Sequence, residues 1–248
     1  MPPIGLTRSV TALDHALLAP ESHVRSPLPG WSGAKAIVLI SPRMGAQFIQ
    51  YLIEFDAHGR SAAPPPGVER FVCVQEGVVR LTEAGGSAEL GPGSYAYLPA
   101  DQPHELVARR RSRVMVLEKD YVELDGHPGP HLVVGDAAEV PGTPLFGDPD
   151  VVVRMLLPEH PSFDMAMNTM TFAPGACLPF VEVHSMEHGL LMLDGAMIYR
   201  LGDAWHQIQT DDVVFMAPYC PQWGAAYGKT PARYLLYKDW NRHPLEQP

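Results

Sequence analysis

The sequence is short of cysteine, of charge and of long apolar runs. Its three cysteines, Cys73, Cys177 and Cys220, are an odd number with no CxxC spacing. That excludes a secreted disulfide framework and directs the reading to a reducing, cytoplasmic setting. Charged residues make up only 19% of the chain, and 18 basic against 28 acidic residues give a net charge of −10. A phosphate-binding surface needs clustered Lys and Arg, so nucleic acid is excluded as a partner. The one dense basic run, Arg109-Arg110-Arg111, reads as a solvated loop. No stretch approaches the roughly 18 uninterrupted apolar residues of a membrane-crossing helix, so no membrane partner is expected. The opening MPPIGLTRSVTALDHALLAP has no basic segment followed by an apolar run, and no signal peptide is expected.

What is present is turn chemistry and apolar residues. The chain of 248 residues carries 22 Gly and 26 Pro without a period, which excludes collagen and leaves few uninterrupted stretches for long helices. A hydrophobic content of 46% excludes disorder. Many short strands joined by Gly/Pro turns, an all-β architecture, is the expectation.

The chain also repeats itself. Phe55-Asp56-Ala57-His58-Gly59 resembles Phe172-Ala173-Pro174-Gly175, 117 positions on, and Val74-Gln75-Glu76-Gly77 resembles Met192-Leu193-Asp194-Gly195, 118 on. Gly93–Pro99 and Asp212–Pro218 match at 119, as do Val116–Asp120 and Leu235–Asp239, which sets Lys119 against Lys238. So small a drift over four blocks means two copies of one β-unit. Matched entry strands are expected over Phe48–Phe55 and Asp164–Phe172. Strand–turn–strand units are expected over Phe71–Leu81 and Leu190–Leu201. The resulting division is an N-terminal extension packing on the barrels (1–40), a first unit (41–124), a connecting segment (125–160) and a second unit (161–248).

One cluster in the second copy has metal-ligand chemistry. In Phe180-Val181-Glu182-Val183-His184-Ser185-Met186-Glu187-His188, Glu182 and His184 are two apart and share one face of a strand. Val181 and Val183 are expected to point the other way, into apolar packing. His188 follows a short turn and approaches the same point from a neighbouring strand. Two imidazoles and a carboxylate suit a divalent first-row metal with open positions, and zinc, manganese and iron all fit. Tyr234, Leu236 and Lys238 alternate onto one face of the last strand, so a phenol and an ammonium enter one cavity.

These blocks resemble the cupin superfamily. Glu182-x-His184-x3-His188-x6-Gly195 keeps that superfamily's first-motif spacing with Glu and His exchanged. Asp212-x5-Pro218-x4-Trp223 is its second motif, with Trp223 at the usual His and the amide Gln222 beside it. In the first copy the second motif is intact, ending at His104, but the stretch Ala62–Arg70 has no histidine. The resemblance implies a bicupin: two tandem cupin β-barrels of jelly-roll type, the first degenerate, metal-free and structural.

A bicupin with a degenerate first barrel and this ExHxxxH-plus-Gln arrangement resembles the (S)-ureidoglycine aminohydrolase family over nearly the whole chain, most strongly over Ser162–Arg242. The resemblance implies a manganese-dependent hydrolase of allantoin breakdown that converts (S)-ureidoglycine and water to (S)-ureidoglycolate and ammonia. It also implies a homo-oligomer. Glu182, His184, His188 and Gln222 carry over as metal ligands, and Glu182, Gln222, Tyr234 and Lys238 as catalytic or substrate contacts. Glu182 is in addition a candidate proton carrier. Loss of ammonia to an imine and direct displacement by water both fit the residues. An iron-dependent bicupin oxygenase and a non-catalytic cupin that binds a small carboxylate remain the alternatives.

Overall fold

The computed structural model describes residues 6–243, whose regular structure is almost entirely strand. Two N-terminal strands, β1 (Val10–Thr11) and β2 (His15–Leu18), precede β3 (Ser32–Ile40). Then come β4 (Ile49–Arg60), β5 (Val68–Glu76), β6 (Val79–Glu83), β7 (Gly86–Leu90), β8 (Ser94–Leu98), β9 (His104–Ala108) and β10 (Ser112–Asp120). Between the copies lie β11 (Val133–Asp136), β12 (Thr143–Leu145) and β13 (Asp148–Met155). The second copy comprises β14 (Met165–Phe172), β15 (His188–Asp194), β16 (Ala196–Leu201), β17 (Ala204–Gln209), β18 (Val213–Met216), β19 (Gln222–Ala226) and β20 (Ala232–Asp239).

The duplication is a duplication of topology. One sheet carries the order β8-β5-β10-β4 and another carries β18-β15-β20-β14. The triplets β9-β6-β7 and β19-β16-β17 repeat in the same way. The two copies are all-β barrels built on one plan, as the cupin resemblance implies. Each has its own apolar core: Tyr51, Ile53, Phe55, Val72, Val74 and Val116 are among the residues of one, and Met170, Phe172, Leu190, Met192, Tyr234 and Leu236 among those of the other.

Contacts divide the chain into Val24–Glu139 and a second compact unit formed by residues up to His23 with those from Val140 onward. The expected extension, 1–40, is thus divided. β2 pairs with β18 of the second barrel and places Leu17 in its core, whereas β3 pairs with β4 of the first. Arg8 holds the fully buried Asp212 with a bidentate ion pair, fastening the N-terminal strands to the second barrel. The segment 125–160 also supplies strands, β11 on β8 and β12–β13 on β14. Its Pro and Gly content concealed them: Gly135 lies within β11 and Pro144 within β12, and both strands sit at sheet edges.

The repeated turns need glycine. Gly77 and Gly195 both have positive φ, +86° and +73°. A Cβ on Gly195 meets the Pro231 carbonyl oxygen at 2.5 Å. Gly195→Ala is therefore expected to destabilise the chain by about 2 kcal/mol or more, read as a lower urea midpoint with an unchanged m-value. An unaltered midpoint contradicts this account of the turn.

Candidate active site

The interior face of the second barrel is arranged in layers by strand register. Ala166, Lys238 and His188 are cross-strand neighbours on β14, β20 and β15. The next layer is Asn168, Leu236 and Leu190, and the one after is Met170, Tyr234 and Met192. Alternation on each strand sends all nine side chains to the face that builds the core. The expected alternation of Tyr234, Leu236 and Lys238 onto one face is what the structure has.

Four of the expected residues converge at the Lys238 layer and its neighbours. His188 opens β15, and His184 sits on the extended segment before it. Their Nε2 atoms face each other at 3.2 Å with the rings edge to face. His188 Nδ1 lies 3.1 Å from the Tyr237 carbonyl oxygen and His184 Nδ1 3.2 Å from that of Met186. A carbonyl only accepts, so both Nδ1 atoms carry the proton and both Nε2 atoms present lone pairs. Two lone pairs facing one another across 3.2 Å are repulsive without a cation between them. This donor set fits a metal ion, and the carbonyl bonds fix the tautomer as metal-bound imidazoles require.

Gln222 completes the cluster. Its Nε2 lies 2.9 Å from His184 Nε2 as a donor to that lone pair, and its Oε1 accepts from the Tyr199 hydroxyl at 3.5 Å. Turning the amide by 180° leaves its shape unchanged and directs Oε1 to the imidazoles and Nε2 to the phenol oxygen. Reciprocal backbone hydrogen bonds of 2.8 and 2.9 Å tie Glu182 to Gln222 and set the two side by side. The Glu182 carboxylate itself does not join the two imidazoles in a tight ligand set. Among the described residues the three-ligand set with all atoms within 4.8 Å of one another is Asp14, His15 and Cys220. There His15 Nδ1 donates to Asp14 at 2.8 Å, and burial pushes the Cys220 thiol up to about 12, so that set reads as a closed hydrogen-bond network. Val181 and Val183 do point away from the site, but into solvent rather than into packing.

Burial dominates the electrostatics. It lowers the His184 pKa, lowers that of His188 well below the ordinary imidazole value, and raises that of Glu182. Lys238 is lowered by burial and partly restored by Glu182 and Glu159; its ammonium also stands over the Trp240 ring. Tyr234 donates to the Met170 sulfur at 3.1 Å, and its phenol is held protonated by burial. Tyr199, not among the expected residues, links the Gln222 amide to Tyr234. Its alternation with Met197 and Leu201 marked it only as core.

The first barrel places different chemistry at the same positions. Gly77 and Gly195 align the copies at 118 positions, which sets Arg70 at the place of His188 and His104 at the place of Gln222. Glu118 pairs with Arg70 as Lys238 pairs with His188. The counterpart of Lys238 is therefore Glu118 and not Lys119. The reason is the loop before the last strand, residues 109–111 in one copy and 227–231 in the other, two residues longer. Such a shift moves the match along the strand, and a one-residue error exchanges its faces. The fully buried Arg70 guanidinium contacts Glu118 at 2.6 Å, His104 Nε2 at 3.0 Å and the Ala62 carbonyl at 3.0 Å. A covalently attached cation stands there.

Comparison with known proteins places the chain in a family. No family model matches the sequence. A protein named probable (S)-ureidoglycine aminohydrolase from Oryza sativa subsp. japonica is 46% identical over 244 residues, covering 97% of this chain and 78% of that protein. The (S)-ureidoglycine aminohydrolase of Arabidopsis thaliana is 46% identical over 244 residues, 97% of this chain and 80% of its own. The chain belongs to the (S)-ureidoglycine aminohydrolase family. Among solved structures, protein Ylba from E. coli superposes with a TM-score of 0.85 at 30% identity over 95% of each chain. An oxalate decarboxylase structure, at 10% identity and a TM-score of 0.71 over 96% of this chain and 80% of its own, shares the cupin fold. Among the described residues no helix is long and apolar enough to cross a membrane.

Two outcomes test this electrostatic account of the family member. Arg70→Ala leaves Glu118 without its cation and is expected to cost about 3–5 kcal/mol, measured by urea unfolding; a loss under about 1 kcal/mol contradicts it. His104, His184, His188 and His206 all have pKa values lowered chiefly by burial. Between those lowered values and the ordinary value of about 6.5 the unfolded chain binds more protons, so stability falls as pH falls. The metal-free chain is expected to be less stable at pH 5.5 than at pH 7.5 by urea unfolding, and equal or greater stability at pH 5.5 contradicts this.

Proposed function

We propose that the second barrel hydrolyses (S)-ureidoglycine to (S)-ureidoglycolate and ammonia, with one divalent ion, manganese, held by His184, His188, Gln222 and Glu182. The observation that carries this reading is the pair of imidazole Nε2 atoms facing at 3.2 Å, with both Nδ1 protons committed to carbonyls. Its support is the 46% identity to the rice and Arabidopsis proteins of that name. Manganese and a role in allantoin breakdown rest on the family resemblance. The first barrel, with Arg70 at the place of His188, is read as metal-free.

When bound, the ion supplies a chelating point for the carboxylate and amine of the substrate and polarises the leaving amine. The residues of the chain do the rest. Lys238 is the one cation on the interior face of β20 and binds the anionic or carbonyl oxygens of the substrate; its burial makes that contact stronger than in water. Glu182, set beside Gln222 by backbone pairing, is the candidate for moving a proton. The Cα–N bond breaks and a Cα–O bond forms, and a proton originating in water leaves with the ammonia. Tyr199 and Tyr234, both protonated, close the floor of the site as hydrogen-bond donors.

His184→Ala is expected to lose the ion and at least about 100-fold of the ammonia-releasing activity, measured with freshly generated ureidoglycine against its spontaneous decay. Metal analysis of the same variant separates ion loss from misfolding. Ammonia release at the wild-type rate by this variant contradicts the proposal.

A further inference from the structure

The interior of the second barrel contains a polar side chain that the site has not used. Asn168 is fully buried, and neither its amide oxygen nor its amide nitrogen has a hydrogen-bond partner. A buried amide left unpaired on both sides is costly, and a folded protein keeps one where something else pairs with it. Its place says where. Asn168 lies directly across from Leu236, one layer from Lys238 and His188 on one side and one layer from Tyr234 on the other. It therefore projects between Lys238 and Tyr234, at diagonal distances of about 7–8 Å that a small ligand spans. Ala166, the residue across from Lys238, is small.

The duplication supplies an independent observation. The counterpart of Asn168 in the first barrel is Tyr51, which lies across from Val116 as Asn168 lies across from Leu236. Tyr51 fills the barrel, and its hydroxyl hydrogen-bonds to Glu118 and Arg70, the charged pair at the equivalent of Lys238 and His188. This strand position thus reaches the polar centre in the barrel where the side chain is long. In the second barrel the shorter Asn168 places a free donor and a free acceptor at the same strand position.

We infer that Asn168 is a substrate-contact residue that recognises the ureido group, its Nδ2–H donating to the ureido carbonyl and its Oδ1 accepting from a ureido N–H. This rests on the aminohydrolase reading of the site and adds its specificity. A carboxamide and a urea are complementary in this way, and no ionised group could offer both halves of the pair. A site built on such a pair discriminates against ligands that lack it, because their binding leaves the amide unpaired.

The test uses hydantoate, which keeps the carboxylate and ureido group of the substrate but has no α-amine to lose. Its binding to manganese-loaded protein is measured by calorimetry for the wild type, Asn168→Leu, Asn168→Asp and, as a control, Gln50→Met. Gln50 is also a fully buried amide without partners, but it sits on the outer face of β4 in the first barrel. Asn168→Leu is expected to bind hydantoate at least about tenfold more weakly, the equivalent of one or two lost hydrogen bonds. It is expected to retain its ion and to melt no lower than the wild type. Asn168→Asp, which keeps only acceptors, is expected to be weakened as well, and Gln50→Met is expected to bind normally. Equal binding by wild type and Asn168→Leu, no binding by the wild type, or loss of the ion and of thermal stability in Asn168→Leu overturns the inference. Wild-type protein that binds hydantoate through Asn168 yet releases no ammonia from ureidoglycine leaves the inference standing and overturns the aminohydrolase reading instead.

Discussion

The structure of the second barrel turns on two imidazoles that cannot both be comfortable without a cation. Carbonyl oxygens of Tyr237 and Met186 take the Nδ1 protons of His188 and His184, and this leaves two lone pairs facing each other at 3.2 Å in a buried place. Burial also disfavours the simple remedy of protonating one of them. The remaining features follow from that constraint. Gln222 and Glu182 are brought alongside by backbone pairing, and Lys238 adds positive charge one strand away.

The first barrel solves the equivalent problem with a cation that belongs to the chain. Arg70 takes the place of His188, Glu118 that of Lys238 and His104 that of Gln222, so a cation of the chain is paired with a carboxylate there. Tyr51 stands at the strand position where the second barrel has the unpaired amide of Asn168. The two barrels differ here at four positions on an otherwise repeated scaffold.

Much of this is legible in the sequence. The β-class, the duplication and the approach of His188 to His184 follow from turn residues, repeat offsets and motif spacing, and the place of Gln222 beside them from the family resemblance. Arg70 was also readable, 118 positions before His188 in a run that is otherwise apolar, Phe71-Val72-Cys73-Val74. Three features were not. The match of Lys119 to Lys238 fails because a loop two residues longer slips the register, and similar letters on opposite faces of a strand look alike in a sequence. The pairing of β2 with the second barrel is long-range, so nothing local to His15–Leu18 specifies it. The unpaired amide of Asn168 is a property of its surroundings and not of the residue; within Met167-Asn168-Thr169 it reads as one more polar position in a strand.

The central claim is that one barrel holds a metal ion and the other holds Arg70 in its place. Anomalous diffraction at the manganese edge from crystals grown with manganese tests it directly. The account predicts one peak per chain, between His184 and His188, and none beside Arg70. A peak at Arg70 and His104, or no peak between the two imidazoles, contradicts it.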